Sequence, residues 1–169
     1  MSYEVGDRVT YSNYGVCLVS ALEERPDMRN PESTMTYYVL EPLNKRLGKV
    51  FLPETRSDAL RPALGREEAL RLIDTVSTIT VDDFDDKSYK VIEEHFRSLL
   101  RSGTVENLIC VVKSMHSRIN RQSELGKNPS ASYLHLKKEA ETRFHSEIAY
   151  ALDIKEDEVA DFIASRVNG

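Results

Sequence analysis

The apolar residues of this chain change period once, just past residue 62, and that change commits it to two unlike parts. Before it, every apolar run is short and bounded by turn residues. Val9 and Tyr11 alternate with Arg8 and Thr10 between Gly6-Asp7 and the turn Ser12-Asn13-Tyr14-Gly15, which is the mark of a half-buried strand. A second strand follows at once through Val16, Leu18 and Val19. Met35 to Leu40 is rich in aromatic and β-branched residues, and Lys49-Val50-Phe51-Leu52-Pro53 is another short strand, closed by a proline that has no N–H for a ladder. A polar loop with prolines at 26 and 31 and a turn over Asn44–Gly48 separate these runs. The stretch from Pro53 to Pro62 supplies a closing turn and a last strand. Short strands at this density predict a small, strongly bent, SH3-like or Tudor-like β-barrel over residues 1–62.

Beyond residue 65 the spacing becomes helical. Ala69, Leu70, Ile73 and Val76 share a face, then the β-branched and aspartate-rich run Ser77–Asp86 breaks the pattern and reads as an acidic linker. Tyr89, Ile92, Phe96, Leu99 and Leu100 recur at three- and four-residue steps. Gly103 ends that helix and Thr104 caps the next, which carries Leu108, Val111, Val112, Met115 and Ile119. After Gly126–Ser130, a long helix aligns Leu136, Ala140, Phe144, Ile148 and Leu152, and a last one offers Val159, Phe162 and Ile163. The expected class is α+β: a barrel domain (1–62), a connecting helix and acidic linker (63–86), and a compact helical bundle (87–169).

Charge is unevenly spread along the chain. The total is −5, but residues 87–150 hold eleven Lys and Arg against seven Asp and Glu, while residues 1–86 hold ten against sixteen. The middle segment is the one place that favours a phosphate backbone, and the modest excess predicts weak, salt-dependent DNA affinity. Two cysteines, Cys17 and Cys110, sit inside apolar runs and read as buried thiols of a reducing cytoplasm. No CxxC or HxxxH pair is available for a metal, and the four histidines lack the i, i+4 spacing of a ligand pair. Asp82, Asp83, Asp85 and Asp86 lack the glycine turn and terminal glutamate of a calcium loop. There is no phosphate-binding glycine loop and no nucleophile elbow. These absences predict a non-enzymatic protein without cofactor, membrane span or small-molecule substrate.

The segments GDRVTYSNYGV, TYYVLEP and GKVFLP in the first domain, then LLRSGTVENLICVVKSM and GKNPSASYLHLKKEAETRFHSEIAYAL in the second, occur in an order and spacing that resembles the CarD family of bacterial transcription regulators. The resemblance implies a cytoplasmic protein whose barrel binds the RNA polymerase β subunit by adding an edge strand to one of its sheets, and whose helical domain touches promoter DNA and tunes the open complex. Strand addition combines main-chain bonds for affinity with alternate side chains for specificity. The matching positions are Arg25, Lys49, Val50 and Phe51. Arg25 reads equally as a solvated loop residue, and Phe51 reads first as barrel core and second as a contact. Where some members carry a basic residue, this chain has Phe51.

The family's helical domain wedges a tryptophan into the minor groove, where a flat apolar side chain fills the gap between partly unstacked base pairs. This chain has no tryptophan. Counting back from Ser102-Gly103 puts Tyr89 at the wedge position, whereas matching the segment after the linker puts Phe84 there. Tyr89 also falls on the stripe of Ile92 and Phe96, so a core position is the first reading of its spacing. Lys90, Arg97 and Arg101 line up opposite that stripe, with Lys87 just before it and Glu94 interrupting; they read as phosphate contacts or as a solvated face. Arg118, Arg121 and Lys127 form a second basic cluster at a helix end. Two further functions stand beside a DNA-touching regulator: a polymerase-docking adaptor without DNA contact, and a reader of modified ligands using Tyr11, Tyr14, Tyr37 or Tyr38 as an aromatic cage.

Overall fold

The computed structural model describes residues 2–168 and divides into two compact units, 1–64 and 65–169. The first is an antiparallel sheet of five strands: β1 (Arg8–Tyr11), β2 (Gly15–Pro26), β3 (Thr34–Pro42), β4 (Val50–Pro53) and β5 (Arg61–Pro62), in the order β4-β3-β2-β1-β5. The turn between β1 and β2 is a single 3-10 turn over Ser12–Tyr14. It closes on Gly15, whose φ of 70° and ψ of −146° belong to a region that side-chain-bearing residues avoid. The alternation read from Val9 holds: Val9, Cys17, Val19, Tyr38, Leu40 and Leu52 form one core cluster with Tyr3 and Leu60. The Tyr3 hydroxyl donates to the Leu60 carbonyl at 3.3 Å, and the Tyr3 N–H to the Tyr38 hydroxyl at 3.2 Å, tying both chain ends of the unit to its centre. Each fully buried apolar side chain here contributes about 1.5–3 kcal/mol.

The sheet, expected as a strongly bent SH3-like or Tudor-like barrel, is not closed. β4 and β5 are its two edges, and both are too short to close the sheet on each other. β5 is two residues long and ends in Pro62; β4 is four residues long and ends in Pro53. Prolines remove the donors that a closing ladder would need. A register shift between Val19 and Ala21 bends β2 midway, so that Ala21, Glu23 and Arg25 carry on along the face away from the core cluster.

The second unit is helical: α1 (Arg66–Thr75), α2 (Tyr89–Ser102), α3 (Val105–Glu124), α4 (Ala131–Leu152) and α5 (Val159–Asn168). The α2–α3 corner forms as the residues require. Gly103 takes the left-handed conformation at φ 71°, and the Thr104 hydroxyl accepts from the Asn107 N–H at 3.3 Å. α4 packs against each of the other four helices. It buries Tyr133 and Ala149 besides the expected Leu136, Ala140, Phe144, Ile148 and Leu152. α1 belongs to this unit: Ala69 and Ile73 are buried, the helix packs on α4 and α5, and Asp74 receives two hydrogen bonds from Arg166 of α5 at 2.6 and 2.9 Å.

Candidate functional site

The first candidate surface is the β4 edge of the sheet and the face beside it. Phe51 pairs with Val39 across the β3–β4 ladder, while its neighbours Val50 and Leu52 pack with the core cluster. Phe51 therefore points to the opposite face and is 39 % exposed, so its first reading as core is corrected. The reason is parity: in a strand of four residues, burying Leu52 turns Phe51 outward. Arg25, on the same face of β2, places its guanidinium 3.9 Å from the centre of the Phe51 ring and pairs with Glu23 at 2.9 Å. The Lys49 ammonium lies 3.3 Å from the Glu41 carboxylate, just before β4 begins. The arrangement offers an unpaired strand edge flanked by an apolar ring, an arginine already stacked on it, and a lysine two residues earlier.

The tyrosines do not make a cage. Tyr37 and Tyr38 are consecutive, buried, and face opposite ways; Tyr11 and Tyr14 stack face to face at 5.5 Å and pack against the core cluster. A cage needs rings converging on an open space.

The second candidate surface surrounds the start of α2. The acidic run before it is docked rather than free. Asp82 Oδ2 lies 2.7 Å from His95 Nε2, the Asp82 N–H donates to Ser114 Oγ of α3 at 2.9 Å, and the Phe84 ring stacks on the His95 ring at 4.0 Å. Arg118 donates to the Phe84 carbonyl, and Lys113 Nζ donates to the Val76 and Ile79 carbonyls. Burial pushes the Asp82 carboxyl up, but hydrogen bonds from His95 and the Phe84 N–H, with the charges of His95 and Arg118, outweigh it and hold the group below the usual carboxylate range.

Of the two aromatic candidates for the wedge, Phe84 is thus half-buried and committed to His95. Tyr89 is 70 % exposed, which corrects its first reading as a core residue. Its azimuth does match the Ile92–Phe96–Leu100 stripe. A matching azimuth buries a residue only where another element lies opposite, and at the first residue of α2 none of the described residues covers the ring. The basic stripe is largely neutralised: Arg97 is 3.1 Å from Glu93 and 3.7 Å from Glu139, and Arg101 pairs with Glu94. Lys87 and Lys90 are exposed and form no ion pair among the described residues. Glu93, four residues before Arg97, was the signal for this pairing and outweighs the interruption noted at Glu94.

The remaining groups bring no chemistry together. Burial pushes the Cys17 thiol up to about 11, so it is inert at neutral pH. Among the described residues no cluster of three or more His, Cys, Asp or Glu is placed to hold a metal ion, and no helix is long and apolar enough to cross a membrane.

The unpaired β4 edge, with Arg25 and Phe51 beside it, occurs in a unit that can be compared as a whole. Residues 3–64 match the CarD-like/TRCF RID domain. The matched range ends at the residue where the first compact unit ends, so all five strands of the RID unit lie within it. The match suggests a transcription-related, RNA polymerase-interacting role for this unit. No curated protein matches the chain. The helical unit lies outside the RID match, and its role rests on its own residues.

Proposed function

We propose that this protein is a transcription regulator that docks on the RNA polymerase β subunit through its RID unit and tunes the promoter open complex through weak DNA contacts of its helical unit. The observation that carries this reading is the free β4 edge beside the stacked Arg25–Phe51 pair, inside a unit that matches the RID domain. A partner strand laid along β4 would be bonded through its main chain, with Phe51 and Arg25 gripping alternate side chains. Docking then raises the local concentration of the helical unit near DNA, so that slight intrinsic affinity suffices. In the helical unit the residues free to act are Tyr89, Lys87 and Lys90, whereas Arg97, Arg101 and Phe84 are occupied within the protein.

That same occupation favours a second reading, an adaptor that docks on polymerase and makes no DNA contact. Binding of the full chain to polymerase holoenzyme, with and without fork-junction promoter DNA, separates the two. Binding strengthened by DNA supports the regulator, and binding indifferent to DNA supports the adaptor. Failure to bind holoenzyme at all, under conditions where the chain is folded, ends both.

A further inference from the structure

The field around α2 opposes the phosphate contacts expected of it. Residues 82–94 hold six acidic groups (Asp82, Asp83, Asp85, Asp86, Glu93, Glu94) against Lys87 and Lys90, a balance of −4. Over the second half of α3 and the turn after it the balance reverses. Residues 113–127 hold Lys113, Arg118, Arg121 and Lys127 against Glu124 alone, a balance of +3 in a chain of net −5. The two groups of cations also differ in their partners. Arg97 and Arg101 meet carboxylates, which cancel their charge. Lys113 and Arg118 donate to main-chain carbonyls, which hold the side chain in place and leave its charge uncancelled; Arg118 additionally feels the Asp82 carboxylate. Arg121 and Lys127 are exposed and form no ion pair among the described residues.

Of these cations Lys113 and Arg121 line a groove of about 500 Å³ along α3, together with Val81, His116, Ser117 and Asn120 and with Glu124 as its one acid; Lys127 follows the end of the helix, and Arg118 turns instead to the Phe84 carbonyl and the Phe96 and Tyr133 rings. Val81 reaches it from the docked segment, but the chain then turns away: Asp82 is held by His95 of α2, and Phe84 lies in the separate α2 groove beside Lys90 and Val91. The Asp82 carboxylate, the one acid of this run that meets a neighbouring helix among the described residues, is thereby taken up by α2. The helix dipole accounts for Arg121 and Lys127 near the end of α3, but its effect fades within a turn and does not reach Lys113 or His116. The Ser117 hydroxyl and the Arg121 guanidinium stand in one row with the Asn120 amide and the His116 imidazole, which bond each other at 3.1 Å, and such groups are the donor set that phosphate oxygens receive from DNA-binding proteins.

We infer that the helical unit meets nucleic acid through this α3 groove, which takes the phosphate backbone of duplex DNA, and that the α2 face is turned from it. The inference rests on the promoter-contact reading and moves its location. It predicts sequence-independent binding dominated by counterion release.

The test is fluorescence anisotropy of the full chain with a labelled duplex across a salt series starting at low ionic strength. Arg121→Glu with Lys127→Glu should weaken binding several-fold and lower the salt slope by about one per reversed residue. Arg121→Lys should retain most of the affinity, and Lys87→Glu with Lys90→Glu should change it less than the α3 pair does. All four positions are exposed, so the variants keep the fold, which circular dichroism checks. If the α2 pair abolishes binding while the α3 pair is silent, the α3 site is wrong and the promoter-contact reading survives. If the unmodified chain binds no duplex at low salt, the α3 site falls together with direct DNA contact. Holoenzyme docking, measured separately, is untouched by either outcome.

Discussion

The Arg25 guanidinium lies 3.9 Å above the Phe51 ring, joining β2 to β4 across the intervening β3. The stack holds a long, flexible cation in one orientation beside an open strand edge. Less rotamer freedom then remains to be lost when a partner arrives. Glu23 pairs with the same guanidinium at 2.9 Å.

A double-mutant cycle on Arg25→Ala and Phe51→Ala should give a coupling of about 0.5–1 kcal/mol in chemical denaturation, the range for an exposed cation–π pair. On polymerase holoenzyme each single variant should cost about tenfold or more in affinity, as central interface residues do. Unchanged holoenzyme binding by both variants would remove this face from the docking surface.

Phe84 and Tyr89 should separate cleanly in stability. Phe84→Ala loses the stack on His95 and should destabilise the helical unit by about 1–3 kcal/mol. Tyr89→Ala, at an exposed position, should stay within about 0.5 kcal/mol. Thermal melts of the two variants give the comparison, and equal losses would mean that Tyr89 packs against something.

Acid should loosen the clasp on the segment before α2. Because the folded-state pKa of Asp82 lies below its unfolded value, the stability it contributes is fully present above the unfolded value, about 3.9, and is lost as pH falls through the lowered folded one. Asp82→Asn should therefore be less stable than the parent at neutral pH, with the gap closing toward strong acid. Denaturation midpoints at a series of pH values measure this; a gap that widens in acid would contradict it.

Gly103→Ala should cost roughly 1–2 kcal/mol, since alanine pays a steric penalty in the left-handed conformation at φ 71°. Gly103→Asn should lose less, because a short polar side chain tolerates that region. Thermal unfolding of both reads the order.

Much of the fold could be read from periodicity, because strands and helices with a single buried face repeat their apolar residues visibly. The Gly103-Thr104 corner and the stripes of α2 and α4 follow from spacing alone. What spacing could not supply is the presence of a neighbour. Tyr89 sits at the right azimuth yet stays exposed, and Phe51 turned outward because Leu52 took the inner position. Closure of the sheet failed for a local reason, two short edge strands ending in proline. The basic stripe on α2 was visible in sequence, but its cancellation by Glu139 depends on α4 and could not be counted along one helix. The docked state of Asp82 was hidden likewise, because His95, Ser114 and Arg118 approach it from two different helices.

Pro53 has a consequence for anything that adds to the sheet. β4 is four residues long, alternate residues of a strand turn their bonding groups to opposite sides, and the last residue has no N–H at all. A visiting strand therefore finds roughly two donors at most and then a full stop. So short a docking rail releases as readily as it engages, and it leaves little room for the visitor to slide into a wrong alignment.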